Sequence, residues 1–84
     1  MTCKKWVWHK GTIVNELIYS DENAYKELSI LLLNKVNKRK VKLFNSINAK
    51  GLHEIEGTQK IDDDYTYQYH FYGDELERLP IIGG

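Results

Sequence analysis

The sequence has little cysteine, little proline, no net charge and no long apolar run. Cys3 is the only cysteine among 84 residues, so no disulfide can form within the chain. Small secreted domains usually rely on several, which makes a reducing, cytoplasmic setting the expectation. The longest unbroken aliphatic run is Ile30-Leu31-Leu32-Leu33, far short of the ~20 residues that cross a bilayer. Met1 to Lys5 leads into aromatic and polar residues without a signal-peptide core, so neither a membrane partner nor a targeting segment is expected. Pro80 is the only proline, and the glycines stand apart until Gly83 and Gly84. With no linker and no repeat, residues 1–84 read as one domain with a short tail over 79–84. A domain this small hides only about 60% of the surface its unfolded chain exposes, so a deep cleft would compete with the core for the same apolar side chains. Binding, rather than catalysis or cofactor chemistry, is the expected work.

The absence of net charge is itself a sum of two unequal halves. Residues 1–42 hold nine Lys and Arg against four Asp and Glu, whereas residues 43–84 hold three against eight. Complementary surfaces within one compact body account for this most simply. A neutral chain also argues against nucleic acid as a partner, because such binders are usually basic.

Hydropathy patterning then divides the chain. Trp6 and Trp8 alternate with Val7, which predicts a strand over Lys4 to His9. Lys10-Gly11 supplies a turn, and Thr12-Ile13-Val14 with Leu17-Ile18-Tyr19 predicts the second strand of a hairpin, bulged or broken at Asn15-Glu16. Ser20-Asp21 before Glu22 and Asn23 marks a helix start, where a side-chain oxygen can accept a first-turn N–H. Tyr25, Leu28, Leu31, Leu32 and Val36 follow at helical spacing and predict the buried face. Val41 to Phe44 opens a new strand, Asn45 to Gly51 reads as a loop, and Leu52 to Ile61 as one strand interrupted at Gly57 or as two. Asp62-Asp63-Asp64 makes a turn. Tyr65 to Tyr72 alternates most clearly, with Tyr65, Tyr67, Tyr69 and Phe71 on one side and Thr66, Gln68, His70 and Tyr72 on the other. The order implies an α+β fold: an N-terminal β-hairpin and one main α-helix packed on a mixed or antiparallel sheet.

Few residues carry a chemical suggestion. Cys3, His9, His53 and His70 are ligand types without the paired spacing of a metal site, so no metal is expected. Asp62, Asp63 and Asp64 lack the alternation of a calcium loop. Glu54 and Glu56 share a strand face but have no cleft to work in. Cys3 and the histidines could form a nucleophile and base only if the fold brought them together, and no catalytic residue is assigned. The basic run Lys35, Lys38, Arg39, Lys40 and Lys42 complements the end of the helix and is a possible phosphate-binding set, with the tryptophans or tyrosines as stacking surfaces. One aromatic row of the Tyr65 to Tyr72 strand must pack on the helix. If the other is exposed, His70 and Tyr72 form a protein-binding patch.

The last stretch is Gly73-Asp74-Glu75-Leu76, then Leu79-Pro80-Ile81-Ile82-Gly83-Gly84. It resembles the C-terminus of the small sulfur carriers of molybdopterin and thiamine synthesis and, more distantly, ubiquitin-like modifiers. That resemblance implies a β-grasp-like fold and a carrier or modifier role. Gly84 would be adenylated by an activating enzyme and then carry sulfur as a thiocarboxylate or join a target amine. Gly83 would provide clearance in a narrow channel, since a residue without Cβ allows close backbone approach, and Leu79, Ile81 and Ile82 would be the apolar grip for the partner. The expected partner is another protein: either that activating enzyme or, for a small regulatory adaptor or inhibitor, a regulatory target held on an aromatic sheet face.

Overall fold

The computed structural model describes residues 1–73. Strands β1 (Thr2–His9) and β2 (Thr12–Ser20) form a hairpin and helix α1 (Glu22–Val36) follows. Strands β3 (Val41–Ile47), β4 (His53–Lys60) and β5 (Tyr65–Tyr72) then run as a meander. The five strands make one sheet in the order β2-β1-β5-β4-β3. All four neighbouring pairs are antiparallel, so the α+β layout is present and the sheet has no parallel pair among the described residues. Pairing of β5 with β1 joins the hairpin to the meander across the whole chain.

Local backbone chemistry fixes the connections. Lys10 (φ 49°) and Gly11 (φ 82°) both hold positive φ, as a two-residue type I′ hairpin turn requires. The Lys10 N–H donates to the Asp64 carbonyl at 2.8 Å, which ties this turn to the one between β4 and β5. The register steps from Val7↔Asn15 to Trp8↔Ile13, leaving Val14 as the extra residue of a bulge. The irregularity expected at Asn15-Glu16 therefore lies one residue earlier. Since β2 is an edge strand, the bulge also disturbs a row of backbone groups on which another chain could pair.

The helix ends by backbone geometry at both termini. No side chain caps its start; Asp21 turns the chain with φ 52° and donates its N–H to the Met1 carbonyl at 2.8 Å. The expected side-chain cap is thus replaced by a hydrogen bond to the segment leading into β1. At the other end Arg39 N–H donates to Asn34 C=O at 2.9 Å and Lys38 N–H to Lys35 C=O at 3.0 Å, with Lys38 at φ 58°. This is the Schellman pattern, with lysine where glycine usually stands.

The meander departs from the sequence expectation in two places. Asn45 and Ser46, loop formers by propensity, remain in β3 because they pair with Ile55 and Glu54; the ladder overrides propensity. β4 runs unbroken through Gly57, where an added Cβ would lie 2.7 Å from Leu31 Cδ2 and 2.8 Å from Leu43 Cδ2. The glycine lets the helix come down on the sheet. The core beneath it holds Cys3, Ala24, Leu28, Leu31, Leu43, Ile55, Tyr69 and Phe71, joined by Met1. The buried helix stripe is therefore Ala24-Leu28-Leu31, turned by roughly 60° from the predicted one at ~3.6 residues per turn. Leu32 packs at its margin, and Tyr25 and Val36 point outward. Ala24, too small to register in an apolar pattern, allows the close approach.

Candidate functional site

Strand parity assigns every side chain to one of two sheet faces. On the covered face lie Cys3, Leu43, Ile55, Tyr69 and Phe71 beneath α1. At its margin Lys5 Nζ sits 4.2 Å from the Tyr67 ring centroid and 4.0 Å from Glu27 Oε1. Burial is the main cause that raises the Tyr69 hydroxyl above its usual range, and the Glu27 charge adds to it. Along the opposite face the register sets four rows: Trp8, Thr66 and Lys60; Trp6, Gln68, Thr58 and Lys42; Lys4, His70, Glu56 and Phe44; and Thr2 with Tyr72, then Glu54 with Ser46. From β2, Ile18 stands opposite Lys4. No helix among the described residues lies over this face.

The half of the open face near Thr2 and Tyr72 carries apolar and aromatic side chains within a balanced set of charges. Phe44 is 53% exposed and Ile18 62%. His70 Nε2 meets Glu54 Oε1 at 2.5 Å, and its ring centroid lies 5.2 Å from that of Tyr72. Hydrogen bonding from His70, and secondarily from Asn48, holds the Glu54 carboxyl below its usual range. His70 and Tyr72 are thus brought together on the open face, both partly exposed. Phe44 and Ile18 stand at the two ends of the row that runs through Lys4, His70 and Glu56, on opposite edge strands of the same face. Their exposure depends on register and on which face the helix takes, so local pattern does not single them out.

The half near the two turns is different. Trp8 Nε1 donates to Gln68 Oε1 at 2.8 Å, which fixes the indole on the sheet. A groove of about 350 Å³ beside it is lined by Trp8, Lys10, Thr58, Asp63, Asp64 and Thr66, among others. A second of about 410 Å³ lies among Lys40, Lys42, Thr58, Lys60 and Thr66, and a third of about 380 Å³ among Lys38, Arg39, Lys40, Gln59 and Lys60. Of the basic run, Lys40 and Lys42 line the second groove, and Lys38 and Arg39 line the third, which wraps around the sheet corner to Gln59 on the covered side. Lys35 stays in the last turn of α1 and lines neither basic groove. Lys60 joins them through its backbone N–H to the Lys40 carbonyl at 3.3 Å. Only strand register could have revealed that.

Other candidates separate. Cys3 is wholly buried, and burial, with Glu27 nearby, pushes its thiol up to about 12. His9 stacks on Tyr65 with centroids 4.6 Å apart, while His70 is paired with Glu54. Asp62 Oδ1 accepts the N–H groups of Asp64 and Tyr65, both at 2.8 Å, and so shapes its own turn. Among the described residues no group of three or more His, Cys, Asp or Glu could hold a metal ion, and no helix is long and apolar enough to cross a membrane. Leu79, Ile81, Ile82, Gly83 and Gly84 lie outside the described residues. No family model, curated protein or solved structure matches this chain.

Proposed function

We propose that this protein is a small non-enzymatic binding module that docks a regulatory target protein on its open sheet face. The observation that carries the reading is the one-sided layering. A sheet stabilises itself by packing both faces or by presenting a polar one to water. Here one face is packed under α1, and the other carries Trp6, Trp8, Ile18, Phe44 and Tyr72 with no covering helix among the described residues. Aromatic and aliphatic side chains set among polar ones on an open sheet face are the composition of a protein-binding surface, in which buried anchors are ringed by polar contacts. Tyr72 and His70 supply rigid aromatic contact area, and Lys4, Glu54 and Glu56 give the patch both signs of charge, which suits a protein surface.

The test is affinity capture with the full chain. Replacing Phe44 and Ile18 together by Ser and Thr should abolish retention of the target without moving the melting midpoint. Removing Gly83 and Gly84 should leave retention intact. The reverse pattern would reject the open-face reading.

That reverse pattern is what a second reading requires. In it the body is β-grasp-like and the terminal Gly83-Gly84 makes the chain a ubiquitin-like modifier or sulfur carrier, with Leu79, Ile81 and Ile82 gripping the activating enzyme. The element order of hairpin, helix and further strands supports it, as does the Gly-Gly terminus. Incubation with such an enzyme and ATP should then give an adenylate or thiocarboxylate on Gly84 by intact mass. An unchanged mass removes this reading.

A further inference from the structure

We propose that the end of the open face nearest the two turns binds a short single-stranded nucleic acid, with phosphates on the Lys38 to Lys60 corner and a base on Trp8. This site is separate from the protein-docking half around Phe44 and Tyr72. The three grooves are contiguous: the two basic ones share Lys40 and Lys60, and the middle one shares Thr58 and Thr66 with the groove beside Trp8. Six cations line this track, namely Lys10, Lys38, Arg39, Lys40, Lys42 and Lys60, against two carboxylates, Asp63 and Asp64. Asp64 stands at the Trp8 end, whereas Asp63 Oδ1 lies 3.8 Å from Lys60 Nζ in an exposed ion pair that a bound phosphate would replace. A chain with no net charge therefore presents a locally positive path. A bound phosphate senses charges within about one Debye length, ~10 Å at ordinary salt, rather than the average over the molecule.

The backbone points the same way. Among the described residues four non-glycine positions hold positive φ: Lys10, Asp21, Lys38 and Lys40. Three of them are lysines, and all three line this track. Glycine adopts that conformation without strain, and the turns gain nothing from a side chain there. Strained residues gather where a site needs what they carry, here the ammonium group. From the β3 corner to Trp8 the track crosses three strand spacings, ~14 Å at ~4.8 Å each, longer than a single phosphate needs. Hydroxyls of Thr58 and Thr66 lie between the basic corner and the indole, as on sheet surfaces that combine phosphate contacts with base stacking.

The experiment titrates the full chain with a labelled single strand of about eight nucleotides, reading anisotropy and tryptophan fluorescence. Binding should weaken steeply with salt, and losing one phosphate contact, as in Lys60→Ala, should flatten the log–log salt slope by about 0.7. Lys38→Gly and Lys40→Gly should weaken binding while raising the melting midpoint, a combination that loss of folding cannot produce. Quenching on binding should survive Trp6→Phe and disappear in Trp8→Phe. The proposal is overturned by no binding at low salt, by affinity indifferent to both glycine variants, or by inorganic polyphosphate binding as tightly as the oligonucleotide without quenching. Failure here leaves the protein-docking reading intact, because its variants Phe44→Ser and Ile18→Thr touch none of these groups.

Discussion

The two faces of this sheet are made by the same five strands at alternate residues, yet they do opposite work. On the covered face Phe71 is fully buried and Leu31 and Leu43 are each 1% exposed, closed over Gly57. On the open face, one residue along each strand, Phe44 is half exposed and His70 pairs with Glu54 at a surface. Hydrogen bonding of the ladder is common to both, so the difference lies wholly in side-chain burial. Stability should follow the covered face and recognition the open one. Mutations on the two faces can show whether that division holds.

The largest effect is expected at Phe71. Truncation to Ala removes a fully buried ring stacked 6.0 Å from Tyr69 and should cost about 4 kcal/mol, the range of buried aromatic deletions. For a domain this small that approaches its whole stability. Cys3 reports the outcome directly, since it pairs with Phe71 across the ladder and its buried thiol, raised to about 12, stays protonated in the native state. Alkylation should be negligible in the native protein and rapid in Phe71→Ala. Equal labelling rates would mean that the covered face does not hold the fold.

Gly57→Ala comes next. Its methyl group would press on Leu31 and Leu43 at 2.7 and 2.8 Å, and both leucines are buried too deeply to yield freely. The expected cost is about 1 to 3 kcal/mol, as for other overpacked cores, read from urea midpoints. A neutral result would show that the helix can lift from the sheet.

Lys38→Gly should act in the opposite direction. Relief of the left-handed backbone at φ 58° should raise stability by about 1 kcal/mol. Phe44→Ser, on the open face, should fall within about 0.5 kcal/mol of the parent by thermal melting. A cost near that of Phe71→Ala would mean that Phe44 is covered and that the two faces are equivalent.

Much of this layering was legible in the residues. Tyr65 to Tyr72 announced both its span and its two rows, because period-two alternation of large rings survives any tertiary context, and its inward row proved to include Tyr69 and Phe71. The hairpin was legible from Trp6, Trp8 and Lys10-Gly11. The helix face was not, since Ala24 is apolar but small and Tyr25 is large but external, and hydropathy weighs them the wrong way. Asn45 to Ile47 read as loop for want of any local sign of their partners in β4. The site was legible in part. His70 and Tyr72 could be assigned to one side of a strand, but Phe44, Ile18 and Lys60 join the open face only through register between strands distant in sequence.

The smallest predicted effect tests whether chemistry on the open face contributes to folding at all. Hydrogen bonding from His70 lowers the Glu54 pKa below its ordinary 4.5. A carboxyl lowered in the folded state binds a proton more readily when unfolded, so its contribution is complete above pH 4.5 and is lost as the pH falls through the lower folded value. Melting midpoints measured from neutral pH downwards should therefore drop more for the parent than for Glu54→Gln, with the two curves converging at the acid end. Other carboxylates titrate alike in both proteins and cancel in the difference. The pair sits at a partly exposed surface, where water and salt screen it, so the gap should be much smaller than the effect of any covered-face variant. Parallel acid curves would assign Glu54 and His70 no part in folding and leave them to the partner alone.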